Sequence, residues 1–78
     1  MGLPEPFELV ARALQCPLET LRADSGLNRH PNWDSIGHLE IIMALEQSYA
    51  IQISEETIRR FESMSAIIEY YEKLKGRP

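Results

Sequence analysis

The stretch Trp33-Asp34-Ser35-Ile36-Gly37-His38-Leu39-Glu40 places an acid and a serine directly before a long apolar segment. A helix from about Ser35 to Tyr49 is predicted, because Asp34 is a favoured N-cap residue and apolar side chains recur after it. At such a helix start, free N–H groups and the helix macrodipole favour an anion by about 0.3–1 kcal/mol. Ser35 is therefore a candidate for carrying an anionic group, although serines also begin helices for structural reasons alone.

Before this stretch, the sequence predicts one helix and a long loop. Apolar residues recur at helical spacing in a first helix that runs roughly over residues 4–15. The loop, residues 17–34, is rich in proline, glycine and asparagine. It also carries apolar side chains, and we expect these to pack onto the core around a short turn near residues 18–22. They are Leu18, Leu21, Leu27 and Trp33.

After this stretch, two more helices are predicted. Ser54 and Ser63 are suitable N-cap residues, and acids follow Ser54 in the first turn, where the helix dipole favours them. A short third helix, roughly 55–61, is expected to bury Ile58 and Phe61. A fourth helix follows Ser63, with apolar residues at helical spacing up to a lysine-rich end. The order is helix, long loop, helix, short helix, helix, which predicts an all-α fold.

Composition narrows the class of protein. A chain of 78 residues allows a single domain, residues 1–78, with its core at about residues 4–75. Twelve acidic against eight basic residues give a net charge of −4, which argues against nucleic acid and permits docking on basic proteins. Cys16 is the only cysteine, and neither a signal peptide nor an apolar run of membrane-spanning length is visible. We therefore expect a cytoplasmic protein that does not bind membranes.

The polar residues near Ser35 do not form a catalytic set. His38 lies one helical turn from Ser35, and no other residues are spaced as its metal-ligand partners. A structural position at the mouth of the interior is predicted for it, and the chain is not expected to be an enzyme. Gly37 is interpreted as a position that removes side-chain bulk beside Ser35. Ser25 also follows an acid, but more loop comes after it instead of a helix.

The apolar residues of the second helix cannot all share one face. At about 100° per residue, Ile42, Leu45 and Tyr49 fall on one side and are assigned to the core. Ile36, Leu39 and Met43 fall on a neighbouring side. This second cluster is either an exposed contact surface or further core, and the two alternatives are evenly balanced for Leu39.

Together these features resemble the acyl carrier protein family over essentially the whole chain. The match rests on D-S-I at positions 34–36, in place of the family's usual D-S-L, and on the helices predicted on both sides of it. Further matching segments are Ala44-Leu45-Glu46, Ile53 before the third helix, and Ser63-Met64 at the start of the fourth. The resemblance implies a four-helix bundle with a long first loop and a short third helix.

The resemblance also implies a function. Ser35 would carry a 4'-phosphopantetheine arm whose thiol holds an acyl group as a thioester, and the protein would be a monomer. Asp34 would cap the helix and could contact the metal ion used by the phosphopantetheinyl transferase. The implied partners are that transferase and the enzymes that load and process the acyl group. The residues expected to dock these enzymes are Ile36, Leu39, Glu40, Met43 and Glu46.

The chain departs from housekeeping fatty-acid carriers, whose second helix is densely acidic. Here only Glu40 and Glu46 are acidic on that helix, and Arg59 and Arg60 add positive charge to the third. This difference favours a dedicated carrier of a specialised pathway, such as polyketide synthesis, and the short termini favour a freestanding protein. Two alternatives remain: an aminoacyl or peptidyl carrier of a nonribosomal-peptide-type pathway, and an unmodified helical protein-interaction module.

Overall fold

The computed structural model describes residues 3–76, which form four α-helices and one short 3-10 turn. In chain order these are α1 (Pro6–Leu14), the turn (Leu18–Thr20), α2 (Ser35–Tyr49), α3 (Glu55–Arg60) and α4 (Met64–Leu74). The described residues contain no strand, so the predicted all-α bundle is confirmed. α1 is slightly shorter than predicted at both ends.

Three of the helices begin directly after the predicted N-cap residues. Asp34 Oδ1 accepts a hydrogen bond from the Gly37 N–H at 2.8 Å, which fixes the start of α2. Ser54 and Thr57 form a reciprocal capping box at α3, because each side chain accepts a hydrogen bond from the other residue's N–H. Ser63 Oγ accepts the Ala66 N–H at α4. These side chains satisfy N–H groups that otherwise lack partners within a helix.

The core lies between α2 and the other elements. α2 packs against α1 and α3, and α1 also packs against α4. Phe61, which directly follows α3, is buried as predicted, whereas Ile58 on α3 is only half-buried. The side chains that are almost completely buried come from three helices, the long loop and the α3–α4 junction: Val10, Trp33, Ile41, Ile42, Leu45, Phe61, Met64 and Ile67.

The long loop is closed onto the bundle. Leu21 and Trp33 are buried as predicted and Leu27 is half-buried, but the prediction for Leu18 is wrong. Leu18 begins the 3-10 turn on the surface, and 47% of it is exposed. Two backbone hydrogen bonds of 2.8 Å, Leu27 N–H to Glu62 C=O and Met64 N–H to Ser25 C=O, join the loop to the start of α4.

Candidate functional site

The structure places Ser35 at the exposed first position of α2. Asp34 precedes it in an extended conformation, with φ −99° and ψ −168°, and its carboxylate caps the helix through Gly37. Asp34 and Ser35 are both solvent-exposed. The serine hydroxyl therefore lies exposed at a helix N-terminus, where the helix dipole favours an anion.

Ser25, the other serine that follows an acid, is in a different environment. Only 6% of it is exposed, and its Oγ accepts a hydrogen bond from the Arg22 N–H at 2.9 Å. Its carbonyl is also bonded to the Met64 N–H. Ser25 is thus part of the packed junction between the loop and α4, and a bulky group attached there would disrupt this junction.

Gly37 has a packing role beyond the one predicted. It is buried, and a Cβ placed there would collide with the Asn32 carbonyl oxygen and lie 2.8 Å from Leu14 Cδ2. The Asn32 side chain donates a hydrogen bond to the Leu14 carbonyl at 3.0 Å, which holds loop and α1 in place. Gly37 is therefore needed for close packing at the start of α2. The interpretation from the sequence, that Gly37 removes side-chain bulk beside Ser35, did not include this packing role.

His38 joins α2 to two other parts of the bundle. The Trp33 indole N–H donates to His38 Nδ1 at 3.0 Å, so this nitrogen is unprotonated. The proton of the neutral ring is then on Nε2, which donates to the Ile58 carbonyl at 2.6 Å. Only 3% of His38 is exposed, and its ring stacks on Trp33. The predicted structural role is confirmed, and the Trp33 and Ile58 contacts specify it further.

A surface with three large apolar side chains flanks Ser35. Ile36, Leu39 and Met43 are 74%, 51% and 43% exposed, which decides the open question for Leu39 in favour of exposure. Large exposed apolar patches are typical of contact surfaces. We call this surface the α2 outer face. It consists of these three residues and the exposed acids beside them, Glu40 and Glu46.

Tyr49 has the one clearly shifted pKa among the described residues. The Tyr49 hydroxyl donates to the Pro4 carbonyl at 2.7 Å, and burial raises the pKa of this phenol well above its ordinary value. Among residues 3–76, no three His, Cys, Asp or Glu side chains are grouped so as to hold a metal ion. None of the helices in that range is both long and apolar enough to cross a membrane.

Several curated proteins are similar to the chain in sequence. "Acyl carrier protein 3" of Ralstonia nicotianae is 30% identical over 64 residues, which cover 82% of this chain and 74% of that protein. The acyl carrier protein of Aster yellows witches'-broom phytoplasma is 29% identical over 66 residues, covering 85% and 87%. That of Phytoplasma mali is 26% identical over 66 residues, covering 85% and 79%. A scan against models of protein families gives no match.

Proposed function

The chain belongs to the acyl carrier protein family, and we propose that it holds an acyl intermediate as a thioester on a 4'-phosphopantetheine arm attached to Ser35. The observation that carries the proposal is the exposed Ser35 at the capped N-terminus of α2, directly after Asp34. Its relatives are named acyl carrier proteins. This protein would likewise be a carrier that other enzymes act on, with no reaction of its own.

The chemistry of attachment requires little from the carrier itself. Ser35 Oγ would form a phosphodiester, and the transferase would supply the catalytic base. The N-terminal end of α2 would favour the phosphodiester charge by about 0.3–1 kcal/mol. Asp34 Oδ1 accepts the capping hydrogen bond, and the same carboxylate could contact the metal ion that the transferase uses.

The α2 outer face is the proposed docking surface for the transferase and for the enzymes that load and process the acyl group. The two charged residues of this face, Glu40 and Glu46, are both acidic, which favours partners with a basic docking site. The apolar side chains Ile36, Leu39 and Met43 would fill the centre of that contact, where exclusion of water strengthens it.

We also propose that the pathway is a specialised one, of the polyketide or a related type. The support is the charge of α2, which carries Glu40 and Glu46 as its only acids and has none in its first turn. Enzymes that recognise a densely acidic second helix would find fewer charged contacts here, and missing charge contributes to the rejection of a wrong partner.

Intact mass tests the attachment. The purified protein is incubated with coenzyme A, Mg²⁺ and a broad-specificity phosphopantetheinyl transferase, beside Ser35→Ala and the control Ser65→Ala, which removes an exposed serine from the first turn of α4. We expect the wild type and Ser65→Ala to gain one arm, and Ser35→Ala to gain none while remaining folded, because Asp34 still caps α2. A Ser35→Ala protein that gains the arm contradicts the assignment. A wild type that stays unmodified favours the interaction module.

A further inference from the structure

Ser35 begins α2, which packs against both α1 and α3. The seam between α2 and α3, where the two helices meet at the surface, is closed. On the α3 side, His38 donates to the Ile58 carbonyl and accepts from the buried Trp33 indole. Beneath these residues the seam is filled by side chains that are at most 1% exposed, such as Ile42 and Phe61. An arm or acyl group could enter there only by breaking hydrogen bonds between buried groups, which is costly.

The seam between α1 and α2 is open along its surface. A groove of about 430 Å³ lies at the start of α2 and is bordered by the two chain neighbours of Ser35, Asp34 and Ile36, and by Gln15 and Asn32. A second groove of about 320 Å³ continues along the same seam and is bordered by Arg12, Met43 and Gln47. Ala13 and Glu40 border both grooves, so the two are adjoining parts of one channel, which we call the α1–α2 trough.

The length of the trough matches the length of the arm. The chain of bonds from a serine oxygen to the thiol of phosphopantetheine is comparable to a peptide of roughly five residues, which reaches about 16 Å when extended. Along α2, Met43 lies about 12 Å and Gln47 about 18 Å from Ser35, at ~1.5 Å per residue. An arm extended from Ser35 would therefore bring its thiol to the second groove.

The lining of the trough matches the chemistry of the arm. Phosphopantetheine contains two amide groups, which need both donors and acceptors, between short aliphatic segments. Gln15, Gln47 and Ser48 supply amide and hydroxyl groups along the trough. The borders of the trough also include the charged side chains of Arg12, Asp34 and Glu40. Ala13 and Ala44, both half-buried, supply apolar wall between them. Volumes of this size are sufficient for small ligands.

We propose that the α1–α2 trough is the resting site of the phosphopantetheine arm, with the thiol end of the arm in the second groove and outside the core. The proposal rests on the attachment of the arm to Ser35. The trough shares Ile36, Glu40 and Met43 with the α2 outer face. Leu39 and Glu46 border neither groove, so they stay accessible to partner enzymes while the arm is at rest.

The test compares amide NMR spectra of isotope-labelled protein before and after loading, which here means attachment of the phosphopantetheine arm. Intact mass shows that the arm is attached. We expect loading to shift the amide signals of Ala13, Ala44 and Gln47, and to leave those of Phe61 and Ile67 unchanged. Nuclear Overhauser contacts between the arm's geminal methyl groups and the Ala13 or Ala44 methyl groups should accompany these shifts.

Two variants serve as a matched pair. Ala13→Phe fills the trough, whereas Ala66→Phe makes the same change at a half-buried helical alanine that borders a separate groove near Ala23. We expect both to be loaded, and only Ala13→Phe to lose the shifts at Ala44 and Gln47.

The outcomes separate this proposal from the one on which it rests. Loaded protein with shifts at Phe61 and Ile67 has its arm in the core, and loaded protein with shifts only at residues 34–37 has its arm in solvent. Either result overturns the trough and leaves attachment at Ser35 standing. Wild-type protein that cannot be loaded overturns both proposals.

Discussion

Replacing His38 by alanine should strongly destabilise the bundle. The substitution removes the acceptor of the Trp33 indole N–H and the donor to the Ile58 carbonyl in a single step. Trp33 is completely buried, and the bond to Ile58 is partly buried, so water has little access to replace these partners. Loss of the imidazole also leaves a cavity beneath Trp33, whose ring stacks on it at 6.2 Å between centroids.

The size of the effect follows from these two contacts. A buried polar group left without a partner costs about 1–3 kcal/mol, so the two groups together cost about 2–6 kcal/mol in the free energy of unfolding. A domain of this length is stabilised by roughly 4–12 kcal/mol in total. Since each kcal/mol shifts the melting temperature of such a domain by about 4–8 °C, Tm should fall by at least ~8 °C.

The second histidine of the chain provides the control. His30 also uses both ring nitrogens, accepting from the Asn32 N–H and bonding to Thr20 Oγ1, each at 3.0 Å, but these bonds are exposed. Water can replace them, so His30→Ala should cost about 1 kcal/mol or less. Thermal and urea unfolding followed by circular dichroism measure both variants. Equal losses for His30→Ala and His38→Ala would refute the structural importance assigned to the buried pair.

Three further results are expected. Gly37→Ala should lower the free energy of unfolding by about 1–3 kcal/mol, because the added methyl group overpacks against Asn32 and Leu14. Alanine in place of glycine inside a helix usually brings a gain of about 0.5–1 kcal/mol, so a stabilised variant would contradict the close packing. Leu39→Ala should lower the free energy of unfolding by less than ~1 kcal/mol but slow acyl transfer to partner enzymes, whereas the same change at the buried Leu45 should lower it by about 2–5 kcal/mol. A large stability loss with normal transfer for Leu39→Ala would show that Leu39 is a core residue. The protein with an acyl group on its arm should be a poor substrate for housekeeping fatty-acid elongation enzymes, and Gln47→Glu should raise the initial rate of elongation at low salt more than at high salt. A wild type whose rate matches that of a housekeeping carrier would refute the specialised pathway.

Local signals were sufficient to predict the helices. The starts of α2, α3 and α4 follow from the caps Asp34, Ser54 and Ser63, whose side chains bond to N–H groups only three residues away. The exposure of the α2 outer face was one of two alternatives, because helical periodicity sorts residues by side but does not say which sides are covered. Only the packing of α1 and α3 against α2 decides that Ile42 is covered and Met43 is not.

Contacts between distant segments were the part that the sequence did not reveal. The packing role of Gly37 was missed because its neighbours, Asn32 and Leu14, belong to the loop and to α1, and nothing in the local pattern indicates how closely they approach. The position of His38 at the mouth of the interior was predicted, but its bond to the Ile58 carbonyl spans 20 residues. Leu18 was assigned to the core from its apolar character, although a residue that begins a surface turn can remain exposed.

The central claim is most directly tested by locating the arm within the loaded protein. Trypsin cuts after Arg29 and Arg59 and leaves one fragment, residues 30–59, that contains three serines: Ser35, Ser48 and Ser54. Tandem mass spectrometry of this fragment should place a single phosphopantetheine on Ser35, the exposed serine at the N-terminus of α2. A fragment that stays unmodified, or that carries the arm on Ser48 or Ser54, would contradict the account.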